Sequence, residues 1–245
     1  MKAMILAAGL GTRLRPLTND RPKALVEIGG RTLLELTLAR LGKFGVTEVI
    51  VNAHHHADMM IEFLKSKERC GIQIKISCED LLLDTGGGLK KAAWFFQSGA
   101  VDDAFIVHNV DVLSGIDLHR MLQYHRENNA LATLAVQSRK TSRYLLFDEA
   151  LKLCGRLKEG KLEELNSEPQ KPEALAFCGI HIISPRIFPL LTEDGAFSIV
   201  DSYLRLASRG EKILAFRTDD SYWVDVGKPE NLKQAEQYLK TRSQS

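Results

Sequence analysis

Residues 6–25 read LAAGLGTRLRPLTNDRPKAL, joining a short apolar run to two glycines, several cations and a Pro-Lys pair. A turn of small residues directly after a strand lets backbone N–H groups approach a ligand, as phosphate cradles require. Two familiar cradles fail at particular positions. The dinucleotide fingerprint G-x-G-x-x-G needs a third glycine so that helix and strand can approach, and Leu14 stands there. The mononucleotide loop G-x-x-x-x-G-K-[ST] has no match in this stretch.

A third arrangement uses the whole stretch. Ala7, Ala8 and Gly9 would admit a nucleotide to the backbone beyond Leu6, and Gly11, Thr12 and Arg13 would wrap a phosphate chain with amides, a hydroxyl and a guanidinium. Lys23 follows a polar loop as a second cation, a compact charge suited to a phosphate undergoing transfer. A plain turn with solvated arginines would leave this grouping without a reason.

The rest of the chain narrows the ligand. With 245 residues, 44% of them apolar and 26% charged, it can bury a large core as one α/β unit. A net charge of +2 argues against nucleic acid or an anionic membrane as the main partner. The apolar run at 3–8 is shorter than a secretory h-region and leads into Gly9 and Arg13 rather than a cleavage site. No stretch approaches the roughly 18 apolar residues of a membrane span. Cys70, Cys78, Cys154 and Cys178 form no C-x-x-C pair, which reads as reduced thiols and a cytoplasmic location.

KAMILAA, TEVIVNA, IQIKISCE and DAFIVHN are Val/Ile/Ala-rich runs of the kind found in buried parallel strands. Between them Leu34, Leu38 and Leu41 recur at helical spacing ahead of Gly45 as a C-cap, and further helices are expected over 57–67, 89–97 and 118–128. This alternation predicts an α/β fold with a parallel sheet covered on both faces. In the second half ALATLAVQ reads as a strand, YLLFDEALKLCGRL as a hairpin turning near 148–150, and 158–173 as a polar loop or flap. ALAFCGIHIIS, a helix near 199–208, the strand KILAFRT and a helix from 229 to about 241 follow. No internal repeat or linker divides the chain.

Together these features bring a family into view. The opening stretch resembles the signature G-x-G-T-R-x-x-P-L-T…P-K of the sugar-1-phosphate nucleotidyltransferases, or nucleotide-sugar pyrophosphorylases. DAFIVHNVDVL is similar to the family's L-x-N-G-D, with Val110 in place of glycine. YWVDVGKPENL is similar to W-x-D-V/I-G-T, with Lys228 where threonine often sits. CEDLLLDTGGGLKKA resembles the E-x-x-L-x-T-G-G/A loop, and FCGIHIIS the strand that contacts the sugar.

The resemblance implies a Rossmann-like three-layer sandwich with a mostly parallel mixed sheet, the nucleotide-diphospho-sugar transferase fold. It covers 1–245 as a single catalytic domain with a flap around 138–173. The implied reaction joins a nucleoside triphosphate, UTP or GTP, to a sugar 1-phosphate and releases pyrophosphate, with no covalent nucleophile on the protein. The implied nucleotide pocket comprises Leu6, Ala7, Ala8, Gly9, Gly11, Thr12, Arg13, Thr85, Gly86 and Gly87. Lys23, Asn109 and Gly179 would meet the sugar phosphate, and Asp111 and Asp225 would hold Mg²⁺. Of these, Arg13, Lys23, Asp111 and Asp225 are the implied catalytic set. Arg13 would hold the departing β- and γ-phosphates, and Lys23 would neutralise the α-phosphate or the incoming sugar phosphate.

Many relatives carry an E-K-P run in the flap. NSEPQKPEALAF stands there instead, leaving Glu168 and Lys171 as displaced substitutes. Asn52 is a further candidate contact, whereas the consecutive His54, His55 and His56 would diverge rather than converge on one ion. The layout is most similar to small bacterial N-acetylmuramate 1-phosphate uridylyltransferases of cell-wall recycling, with mannose- or heptose-1-phosphate guanylyltransferases second. A dinucleotide-dependent oxidoreductase would need an acidic residue where Asn52-Ala53 stand. A non-catalytic nucleotide-sugar sensor would have to lack Lys23 or the aspartates. The sequence leaves the oligomeric state open.

Overall fold

The computed structural model describes residues 1–65, 71–97, 103–165 and 171–242. Strand β1 (Lys2–Leu6) ends where the glycine-rich stretch begins. A short ribbon, β2 (Glu27–Ile28) with β3 (Arg31–Thr32), leads into helix α1 (Leu33–Lys43). Thr32 and Glu35 start this helix as a reciprocal capping box: the Thr32 hydroxyl accepts from the Glu35 N–H at 3.1 Å, and the Glu35 carboxylate from the Thr32 N–H at 2.8 Å. Gly45, at φ 94°, stops it; Val46 and Gly45 donate back to the carbonyls of Leu41 and Gly42 at 3.0 and 2.9 Å.

Strand–helix alternation continues through β4 (Glu48–Ala53), α2 (Ala57–Lys65), β5 (Gln73–Cys78), α3 (Asp84–Lys91), α4 (Ala93–Phe96) and β6 (Phe105–Asn109). The four strands lie in the order β5-β4-β1-β6, all parallel. Then come β7 (Val112–Ser114), α5 (Leu118–Glu127), β8 (Ala132–Gln137), the antiparallel β9 (Arg143–Phe147), β10 (Leu153–Lys158) and β11 (Lys161–Leu165), and the long β12 (Glu173–Ile183). α6 (Ile199–Ser208), β13 (Ile213–Arg217), β14 (Trp223–Asp225) and α7 (Pro229–Arg242) complete the chain order. β12 runs antiparallel to β6, β8 and β9, so one strand welds the parallel half to the hairpin half. The result is one ten-stranded mixed sheet.

Side-chain alternation sorts the core into two faces. Ala3, Ile5, Val49, Val51 and Ile106 join the apolar cluster shared with α1, α2 and α5. Met4, Ile50, Phe105 and Val107 join the opposite cluster with α3, α4 and α6. Helices on both faces of a sheet make three layers, as the sequence led us to expect. Among the described residues, no helix is long and apolar enough to cross a membrane.

Two local expectations change. The third helix begins at Asp84, not at 89, because the three glycines inside it sit against neighbouring backbone and side chains and are fully buried. The polar segment after Lys158 is not all loop: β11 pairs with β10 through a two-residue turn, Glu159-Gly160, with both residues at positive φ (52° and 77°).

Candidate active site

The carboxyl ends of the parallel strands set the floor of the site. Leu6 stands in register with Asn52 on one side and Asn109 on the other, and the Val110 N–H donates to the Leu6 carbonyl at 3.1 Å. Ligands of open parallel sheets bind beyond such strand ends. A cavity of about 560 Å³ lies there, walled by Ala7, Ala8 and Gly9 together with Lys23, Thr85 and Asp111.

The small-residue turn is held from beneath. Ala7 donates its N–H to the Asn52 side-chain oxygen at 2.6 Å, and the Asn52 amide donates to Glu79 at 2.7 Å. The second Glu79 oxygen accepts the Leu83 N–H at 3.0 Å, and the His54 ring donates to the Glu79 carbonyl at 2.8 Å. Asn52 and Glu79 are buried, so this chain of bonds couples the first turn to the loop before α3. Glu79 opens the CEDLLLDTGGG motif, but nothing local in the sequence marks it as the anchor of a distant turn.

Gly11 turns the loop through φ 64°, where a Cβ would lie 3.0 Å from Thr18 and 3.1 Å from Lys23. The Thr18 hydroxyl donates to the Gly11 carbonyl at 2.8 Å, folding the loop back on itself. Thr12 and Arg13 therefore lie on one short 3₁₀ turn (Thr12–Leu14), and Lys23 begins another (Lys23–Leu25). Lys23 is buried and forms an ion pair with Asp111.

Asp111 lies between β6 and β7, directly before Val112, and Asp225 ends β14. The β7–β14 ribbon pairs Asp225 with Val112, and the Val226 N–H donates to the Asp111 carbonyl at 2.8 Å. Arg13 approaches Asp225 at 3.9 Å. A Cβ at Gly227 would lie 2.7 Å from Asp225 Oδ1, 2.8 Å from Arg13 Nη2 and 2.9 Å from Lys23 Nζ, so only glycine leaves room for the cluster. Burial raises the Asp225 carboxyl above its ordinary range; the neighbouring Asp111 charge adds to this, and the Gly227 N–H, Lys23 and Arg13 oppose it. Four charged residues from three distant parts of the chain thus meet in one cluster, which borders the cavity through Lys23 and Asp111.

Other expected site residues sit differently. A Cβ on Gly86 would collide with the Phe197 ring, and one on Gly87 with the Gly195 carbonyl. Both glycines let α3 pack against the segment before α6, and neither borders the cavity. The Thr85 hydroxyl accepts the Ile199 N–H at 3.0 Å, while the residue also borders the cavity. Gly179, at φ 71°, makes space for the Asn109 amide, 2.7 Å from where its Cβ would be. The His55 and His56 ring centroids lie 3.9 Å apart with the rings tilted by 52°. Lys171 is exposed, and Glu168 lies outside the described residues.

The sequence profile of the nucleotidyl transferase family matches residues 2–242. The chain belongs to that family. It is 32% identical over 246 residues to an N-acetylmuramate alpha-1-phosphate uridylyltransferase of Caulobacter vibrioides, covering 97% of this chain and 96% of the relative. It is 31% identical to a UTP–glucose-1-phosphate uridylyltransferase of Synechocystis, over 96% of this chain, and 31% identical to a mannose-1-phosphate guanyltransferase of Yarrowia lipolytica, over 94%. The chain spans only 62% of the length of each of these two. Among solved structures, a UDP-glucose pyrophosphorylase complexed with UDP-glucose matches with TM-score 0.79 at 18% identity, covering 98% of both chains. HddC from Yersinia pseudotuberculosis complexed with GMP-PN matches with TM-score 0.77 at 23% identity, covering 97% of this chain and 99% of that one. These likenesses establish that the nucleotidyl transferase shares the nucleotide-diphospho-sugar transferase fold.

The donor set of the nucleotidyl transferase suits a hard divalent cation. Two carboxylates side by side, one of them half-buried and disfavoured as an anion by the other, would be relieved by Mg²⁺. Magnesium keeps several of its ligands as water or phosphate oxygen, so two protein carboxylates beside an open cavity meet its needs.

Proposed function

We propose that this nucleotidyl transferase joins a nucleoside triphosphate to a sugar 1-phosphate, giving a nucleotide sugar and pyrophosphate. The observation that carries the reading is the meeting of Arg13, Lys23 and Asp225 around Gly227, with Asp111 paired to Lys23. A sugar-phosphate oxygen forms a bond to the α-phosphorus as the bond from that phosphorus to the β-phosphate's bridging oxygen breaks. Both reactants are anions, so the protein's work is to hold them together and to offset charge.

Arg13, half exposed at the cavity edge, grips the departing pyrophosphate. Lys23, held at the boundary by Asp111, turns its charge to the phosphate at which the transfer occurs. Ala7, Ala8 and Gly9 shape the nucleotide side, and the Asn52–Glu79 bonds keep that turn rigid. Asp111 and Asp225 would hold Mg²⁺, which would supply positive charge to phosphate oxygens.

For the substrates we favour uridylyl transfer to N-acetylmuramate 1-phosphate in the cytoplasm, in the recycling of cell-wall sugars. Support comes from the Caulobacter relative, to which the chain is 32% identical over 246 residues. Guanylyl transfer to mannose or heptose 1-phosphate is the second reading, favoured by the likeness to the Yarrowia protein. Pyrophosphate release should be measured with each nucleoside triphosphate against a panel of sugar 1-phosphates, with and without Mg²⁺. Turnover confined to one pair names the substrates, and binding without any turnover would make the protein a nucleotide-sugar sensor.

A further inference from the structure

A second cavity, of about 530 Å³, opens beside the first and shares Asp84, Thr85 and Asn109 with it. Its far wall is the β9–β10 hairpin, which contributes Arg143, Arg156 and Lys158. Arg156 forms an ion pair with Asp201. Arg143 has no ion-pair partner among the described residues, and in the strand register it stands directly opposite Lys158.

We propose that Arg143, with Lys158 across from it, selects an acceptor sugar that carries a carboxylate in addition to its 1-phosphate. The proposal rests on the nucleotidyltransferase reading of the site and names the class of acceptor. The reacting phosphate must lie by Lys23 and Asp111, which border the first cavity. The hairpin cations border only the second, past the shared boundary, so they meet a different part of the sugar. A guanidinium presents a planar fork that matches a carboxylate by two parallel hydrogen bonds. Thr141 and Tyr144 supply hydroxyls beside it for the ring. Asp84, which has no ion-pair partner among the described residues, borders both cavities and keeps a carboxylate on the hairpin side by repulsion.

The test is the ratio of kcat/KM for N-acetylmuramate 1-phosphate to that for N-acetylglucosamine 1-phosphate, which lacks only the lactyl carboxylate arm. The ratio should exceed about tenfold in the unaltered protein, the size of one charge-assisted hydrogen bond. It should fall toward one in Arg143→Gln through KM, and Arg143→Lys should restore part of it. An unaltered protein with no preference for the carboxylate overturns the proposal, and so does an Arg143→Gln variant that keeps the ratio. Turnover of glucose or mannose 1-phosphate in preference to N-acetylmuramate 1-phosphate overturns the selection and leaves the nucleotidyltransferase reading standing. If no acceptor turns over, that reading falls. Calorimetric binding of the same two sugar phosphates then decides the Arg143 assignment by the same ratio.

Discussion

Asp111 and Asp225 are neighbours because the Val226 N–H donates to the Asp111 carbonyl at 2.8 Å while Asp225 pairs with Val112 across a short ribbon. Their carboxylates therefore crowd each other, and burial with the Asp111 charge holds the Asp225 carboxyl above its ordinary range despite Lys23 and Arg13. This crowding is costly to the folded protein, and it separates stability from activity.

Asp225→Asn should accordingly leave the melting temperature unchanged or raise it, since it removes a half-buried charge disfavoured by Asp111. The same variant, Asp111→Asn and Lys23→Ala should each lower kcat by about 10²–10³-fold, as loss of a group that offsets transition-state charge does. Thermal melts and pyrophosphate release on the same samples check both halves. A folded Asp225→Asn variant with near-normal release would remove that residue from the mechanism.

Asn52→Ala should cost about 1–3 kcal/mol, because it strands the buried Glu79 carboxylate and the Ala7 N–H. Its effect on activity should appear as a raised KM for the nucleoside triphosphate, since the turn it supports is loosened rather than removed. Urea denaturation and steady-state kinetics separate the two effects.

Gly87→Ala should destabilise the fold by about 1–3 kcal/mol, the usual range for overpacking. Its methyl group meets the Gly195 carbonyl and not the cavity. Nucleotide affinity, measured on the fraction that stays folded, should be little changed. A large loss of affinity at unchanged stability would return Gly87 to the nucleotide pocket.

The buried histidines set the response to acid. Burial pushes His108 and His181 down to about 3, and His125 to about 4. In the unfolded chain they bind protons near pH 6.5, so between about 6.5 and 3 the unfolded state holds more protons. Their contribution is complete above pH 6.5 and is lost as the pH falls toward 3. Each histidine steepens the loss by up to about 1.4 kcal/mol per pH unit. Urea midpoints from pH 7.5 to 4.5 should drop accordingly, and His108→Gln should flatten the slope.

Much of this was legible in the chain itself. The strands announce themselves as Val- and Ile-rich runs, and α1 carries its capping residues and its terminal Gly45 within a few positions of its ends. Gly11, Arg13 and Lys23 are readable as one unit because the loop that holds them is continuous. The start of α3 was not legible, because glycine has a low intrinsic helix propensity and Phe197 and Gly195, which make the glycines necessary, lie more than a hundred residues on. The role of Glu79 was hidden for the same reason, since its carboxylate is bound by Asn52 from another strand.

By itself, then, the sequence determined the alternation of strands and helices, the phosphate-binding character of the first turn and the residue types available for charge. Those follow from short-range patterns and backbone preferences. Only the tertiary structure decided that Arg13, Lys23, Asp111 and Asp225 form one cluster beside a cavity, and that two glycines of the TGGG run serve packing. Proximity across the fold is set by register and burial, which no local stretch encodes.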